Sequence, residues 1–105
     1  VDYDLNRNPR SVFVAEFEGE IVGFVCNRIY RARSIGHVAN LAVAAGFRRR
    51  GVGKLLMEAS LDHFRKQGMR YVRIETLAQN VTAASFYPSL GFQEVGRQVF
   101  YFKEL

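Results

Sequence analysis

Arg48-Arg49-Arg50-Gly51-Val52-Gly53 is the stretch whose reading decides the fold. It follows an alternating apolar run, residues 35–43, that reads as a strand. It opens a segment, residues 51–67, in which Val52, Leu55, Leu56, Ala59 and Phe64 recur near helical spacing, with Gly68 placed to stop the helix. The first four N–H groups of a helix have no partner inside it, and the aligned peptide dipoles make that end partly positive. Glycines at 51 and 53 let a bulky anion approach the backbone, and Arg48, Arg49 and Arg50 add charge beside it. A strand, turn and helix of this composition predict a site for a small phosphorylated ligand. The turn is neither a GxxxxGK[ST] loop nor a GxGxxG dinucleotide fingerprint. Residue chemistry alone also allows packing glycines and solvent-facing arginines here.

The same patterns extend in both directions. Residues 11–17 and 21–30 alternate as two strands, joined by a hairpin turn at Glu18-Gly19-Glu20. Residues 31–34 make a polar connection to the third strand, on which Ile35, His37, Ala39, Leu41 and Val43 are expected to share one face. A fourth strand is expected over residues 69–76. Asn80 is placed as the N-cap of a second helix that ends near Leu90 with Gly91 as its stop. Residues 92–95 and 98–103 read as closing strands, and residues 1–10 as a lead-in loop. The order is β-β-β-α-β-α-β(-β), an α/β (α+β) fold with a mixed, mostly antiparallel sheet. Its third and fourth strands are expected to be parallel, joined by a right-handed helical crossover.

Composition bounds the function. The chain has 105 residues, 49% of them hydrophobic, with nine Phe and five Tyr, so a single domain with a small core is expected over residues 1–105. No apolar run approaches a membrane span and no secretory leader is read at the start. The formal charge is +5, with a basic knot at Arg48, Arg49, Arg50 and Lys54 that suits a small anion better than a duplex. No basic–aromatic reader motif is present, so no nucleic-acid partner is expected. The single cysteine, Cys26, excludes an internal disulfide and fits a reducing, cytoplasmic setting. It reads as a buried structural thiol rather than an acyl carrier.

Arg48-x-x-Gly51-x-Gly53 resembles the acetyl-CoA signature, Gln/Arg-x-x-Gly-x-Gly/Ala, of the GNAT N-acetyltransferases. A second block, Asn80-Val-Thr-Ala-Ala-Ser-Phe-Tyr-Pro-Ser-Leu-Gly-Phe92, is similar to that family's N-x-x-A-x-x-x-Y-x-x-x-G-F segment. The likeness runs from about Val12 to Phe102 and is nearest in flavour to the ribosomal-protein and peptide N-terminal acetyltransferases. It implies acetyl-CoA as co-substrate, bound by the backbone of Arg48, Arg49, Arg50, Gly51, Val52 and Gly53 with Lys54 just inside the helix. The pantetheine arm would run as an extra strand along Leu41, Ala42 and Val43, and Asn80 would touch it or act only as the helix cap. Tyr87 matches the family's general acid, although it also reads as one more core aromatic. A phenol has a pKa near that of a departing thiol.

The base stays open between Glu75, His37 and ordered water. The implied reaction is direct transfer of the acetyl group to a primary amine, with the oxyanion held by a strand N–H near Val43. No metal is expected.

The sequence departs from the family pattern in three places. The family's usual first strand and first helices are not read within these residues, and the expectation that they are missing allows the alternative of an acyl-CoA-binding module without catalysis. The strand at residues 11–17 is then left as an edge that could pair two chains into a homodimer. Ala45 stands where proline is common, and Pro88 is expected to kink the second helix beside Tyr87.

Overall fold

The structure, a computed structural model, describes residues 10–105, so the lead-in loop expected over residues 1–10 lies outside the described residues except for Arg10. The chain divides into two compact units, one ending at Ile74 and the other Glu75–Leu105. The first holds β1 (Arg10–Phe17), β2 (Glu20–Tyr30), β3 (Ile35–Val43), α1 (Val52–Lys66) and β4 (Tyr71–Ile74); the second holds α2 (Val81–Ser89). The sheet order is β1-β2-β3-β4, with β1–β2 and β2–β3 antiparallel and β3–β4 parallel. The mixed sheet and its parallel β3–α1–β4 unit stand as the sequence predicts, but that unit lies at one edge of the described sheet rather than at its centre. Among the described residues β1 is an edge strand.

Local chemistry explains the joints. Glu18 and Gly19 both take left-handed φ, 51° and 82°, which gives the two-residue turn whose twist suits a hairpin. At the end of α1, Met69 N–H donates to the Phe64 carbonyl and Gly68 N–H to that of Arg65. At the end of α2, Phe92 N–H donates to Tyr87 and Gly91 N–H to Pro88. Both are Schellman stops. Pro88 lies one residue before the end of α2, where the ladder it interrupts is already closing.

One face of the sheet packs on α1. Val25, Ile29, Val38, Leu56, Met57 and Phe64 form its core, all at most 4% exposed. Within it the Asn27 side-chain amide donates to Ser60 Oγ at 3.0 Å.

Several expectations need correction. On β3 the five residues Ile35, His37, Ala39, Leu41 and Val43 do not share a face. The ladder steps from Asn27↔Val38 to Cys26↔Asn40, so Ala39 is an extra residue, a bulge, and the alternation inverts there. Gly36 and Val38 face α1 before the bulge; Leu41 and Val43, opposite Val25 and Gly23, face it after. Ile35 and His37 lie on the opposite face. Cys26 shares that opposite face and is only half-buried, so it is not a core thiol under α1.

The closing strands at residues 92–95 and 98–103 do not form. No ladder among the described residues includes them, and Val95, Tyr101 and Phe102 are over 90% exposed. Alternation alone does not make a strand: its N–H and C=O groups need a neighbouring chain. The local Arg97–Glu94 ion pair supplies none. The fourth strand is likewise four residues long rather than eight.

His63 on α1 carries a pH dependence. Its ring meets Phe13 edge-on at 5.5 Å and lies 5.9 Å from Phe64, and its Nε2 is buried without a hydrogen-bond partner among the described residues. Burial lowers its pKa below the ordinary 6.5. The unfolded chain then takes a proton near 6.5 that the folded chain refuses, so stability present above that pH is lost as pH falls through it toward the lower folded pKa. Urea midpoints measured between about pH 7.5 and about pH 5.5 should fall more steeply for the native chain than for His63→Phe. Equal slopes would remove His63 as the cause.

Candidate functional site

Positions 48–54 form a turn with two left-handed residues, Arg49 at φ 62° and Gly51 at φ 83°. Gly51 is the N-cap of α1. A Cβ built there meets nothing within 4 Å, so the backbone angle, not space, calls for glycine. No side chain caps this end and no acidic residue occupies its first turn. Leu55 N–H bonds to Gly51 C=O at 3.1 Å, which starts the helical ladder and leaves the N–H groups of Val52, Gly53 and Lys54 ahead of it. The arrangement is an anion cradle with its positive end uncovered.

The three arginines are not equivalent. Arg48 Nε donates to the Val43 carbonyl at 3.3 Å and ties the turn to the end of β3. The Arg50 guanidinium lies over two phenyl rings, 5.7 Å from Phe17 and 5.1 Å from Phe47, which are themselves 5.3 Å apart. Arg50 thus braces the turn through an aromatic pair. Arg49 is exposed, and Lys54 lies 4.0 Å from Glu58 one helical turn on. Phe17 and Phe47 were not expected here. Their only signal was an apolar ring at each of two turns.

The β3–β4 ladder covers Ile35–Val38 against Tyr71–Ile74 and stops, while β3 continues through the bulge to Val43. Ala44 N–H donates to the Val22 carbonyl at 2.8 Å, toward β2. By strand alternation the backbone groups of Val43 and Leu41 point the other way, to the side the ladder has left, and the Arg48–Val43 contact lies on that side. Leu41, Ala42 and Val43 therefore run as an open strand edge leading to the anion cradle. His37 is on the sheet face away from α1, its ring 6.2 Å from that of Tyr30.

The remaining predicted residues belong to the second unit. Asn80 caps α2, its Oδ1 accepting from Ala83 N–H at 3.0 Å. Tyr87 is half-buried between Phe86, 5.4 Å away, and Phe92, 6.0 Å away. Burial raises its phenol above the ordinary 10, so it holds its proton throughout the neutral range. Glu75 is exposed, one residue past β4. Among the described residues no group of His, Cys, Asp and Glu is placed to hold a metal, and no helix is long and apolar enough to cross a membrane.

Comparison with known proteins returns acetyltransferases among its matches. The family model described as Acetyltransferase (GNAT) family matches residues 1–92. An N-alpha-acetyltransferase of Sulfurisphaera tokodaii is 35% identical over 102 residues, covering 87% of this chain and 61% of the relative. A mycothiol acetyltransferase of Streptomyces avermitilis is 35% identical over 85 residues, covering 81% of this chain but 28% of its own. The aminoglycoside N-acetyltransferase AAC(6')-Iy, solved in complex with CoA, superposes with a TM-score of 0.84 at 26% identity, over 96% of this chain and 81% of that one. The chain spans less than two thirds of the length of these curated relatives.

Proposed function

Because the chain belongs to the GNAT acetyltransferase family, matched over residues 1–92, we propose that it transfers an acetyl group from acetyl-CoA to a primary amine by direct attack. One observation carries the proposal: a glycine-started, uncapped helix end at Gly51–Lys54 that an open strand edge, Leu41–Val43, leads into. Relatives that share the fold act on different acceptors by name, so the acceptor is not read from them.

Acetyl-CoA, when bound, supplies the thioester from which the acetyl group moves. The residues present fit it. The N–H groups of Val52, Gly53 and Lys54 would hold the diphosphate, with Arg49 adding charge, and Arg48 and Arg50 would fix the turn rather than reach outward. Leu41 and Val43 would offer backbone groups to the pantetheine amides, and Val43 N–H would face the oxygen that gains charge. Asn80, whose oxygen caps α2, is the position that the family resemblance assigns to the same arm. The amine nitrogen would form a bond to the acetyl carbon as the carbon–sulfur bond breaks, and the family resemblance gives Tyr87 the role of returning a proton to the sulfur. The amine's proton leaves to Glu75, His37 or water.

The experiment pairs calorimetry with turnover. CoA should bind the native chain and raise its melting temperature. Gly51→Val forces a β-branched residue to left-handed φ, costs about 1–3 kcal/mol of stability, and should weaken CoA binding at least about tenfold. Unchanged affinity in Gly51→Val would remove the cradle from the proposal. CoA binding with no thiol release across a panel of amines would instead make the chain a binding module.

A further inference from the structure

We infer that Phe17, at the end of β1 where the hairpin turns, is a positioning residue for the CoA turn. It acts on diphosphate binding through Arg50 rather than by touching the ligand. The role rests on the reading of Gly51–Lys54 as the CoA cradle. Phe17, Phe47 and the Arg50 guanidinium form a closed triangle: the rings are 5.3 Å apart, and the guanidinium is 5.7 Å from Phe17 and 5.1 Å from Phe47. Its corners come from separate pieces of chain: the last residue of β1, the short 3₁₀ turn Ala45–Phe47, and the residue just before the Gly51 cap.

The turn needs holding. Arg49 has φ 62°, a left-handed backbone that a residue with a side chain enters at a cost and keeps only where its surroundings fix it. Both of its neighbours are fixed. Arg48 is tied to the Val43 carbonyl, and Arg50 to the two rings. The hairpin also holds the start of the same connection. The β1–β2 ladder steps from Ala15↔Gly23 to Glu16↔Ile21, so Val22 is an extra residue, a bulge. Its carbonyl accepts from Ala44 N–H at 2.8 Å. Ala44 and Arg50, the two ends of the chain that carries β3 into the cap of α1, are thus both anchored to the hairpin. Where Arg50 is held fixes Gly51, and with it the aim of the N–H groups of Val52, Gly53 and Lys54.

Magnitudes set the size of the effect. A turn already in its bound conformation spares the ligand the cost of ordering it, and a turn competent only part of the time binds more weakly by that fraction. One cation–π contact at an exposed site is worth a factor of about two to five, and a ring pair adds a comparable factor. Phe17 is 46% exposed and lies outside the core under α1, so removing its ring should leave that core intact.

The test is calorimetry with CoA and, separately, with inorganic pyrophosphate. It compares the native chain with Phe17→Leu, Phe17→Trp, Arg50→Gln and the double variant Phe17→Leu/Arg50→Gln, with a urea midpoint for each. Phe17→Leu should weaken CoA binding about three- to tenfold. Phe17→Trp, which keeps a ring face for the guanidinium, should bind within about twofold of native. The losses should not multiply: in the Arg50→Gln background, Phe17→Leu should cost less than about twofold more. A lowered urea midpoint with unchanged affinity in Phe17→Leu, a Phe17→Trp no better than Phe17→Leu, or losses that multiply would overturn the role. Wherever CoA binds, its titrations decide. If CoA does not bind the native chain but pyrophosphate does, with the same dependence on Phe17, the acetyl-CoA reading falls and the positioning role stands. If neither binds, both fall.

Discussion

Replacing Tyr87 with phenylalanine should lower kcat by about 10²–10⁴-fold, the usual contribution of a positioned acid, while CoA affinity changes little. The substitution removes one hydroxyl and keeps the ring between Phe86 and Phe92, so α2 and its Schellman stop should remain intact. The direction of the phenol's pKa supports the role. Burial raises it, which keeps the proton on the oxygen until the leaving sulfur needs it. Two further readouts separate an acid from a packing ring. The alkaline fall in kcat expected above about pH 10 in the native enzyme should be missing in Tyr87→Phe. An acetyl donor with a more acidic thiol needs less protonation, so the variant's loss should shrink with that donor. A kcat within about twofold of native, for both donors, would leave Tyr87 as a core aromatic.

What could be read from the sequence was what is encoded within a few neighbouring residues. The glycine turn at residues 48–54, the cap at Asn80 and the stops at Gly68 and Gly91 each rest on a local backbone requirement, and each lies where the residues placed it. The parallel β3–α1–β4 unit followed from strand, helix and strand in that order. What could not be read depends on partners distant in sequence. Ala39 has nothing in its own chemistry that marks a bulge; the inversion of β3 comes from how β2 pairs across it.

Residues 98–103 alternate as well as β1 does, yet β1 has β2 beside it and they have no ladder among the described residues. The Arg50 guanidinium lies over Phe17, thirty-three positions away, a contact that no local pattern contains. A surface depression lined by Tyr30, Arg33, Ile35 and Arg73 needed the crossover to bring two arginines forty positions apart to one rim. In each case the missing information was a long-range contact, which periodicity does not contain.

The largest stability effect should come from the contact between Gly36 and Phe64, which sets how closely β3 approaches α1. Gly36 has no left-handed φ, so its need for glycine is spatial. A Cβ there would sit 2.4 Å from Phe64 Cδ1, 2.5 Å from Cγ and 2.7 Å from Cε1, and the ring is 1% exposed with nowhere to retreat. Phe64→Ala should cost about 3–5 kcal/mol through lost burial and the cavity left behind. Gly36→Ala should cost about 1–3 kcal/mol through overpacking. The two should not add. In the Phe64→Ala background the new methyl enters the space the ring vacated, so the double variant should be more stable than the sum by about 0.5–3 kcal/mol. Urea unfolding of all four proteins measures this, and a strictly additive cycle would show that the methyl is accommodated elsewhere. The same cycle bears on function. Gly36 pairs with Val72 inside the short ladder that carries His37 and Arg73, so a β3 pushed off α1 displaces both. Gly36→Ala should nonetheless leave CoA bound at Gly51–Lys54, which lies past the bulge at the other end of the strand.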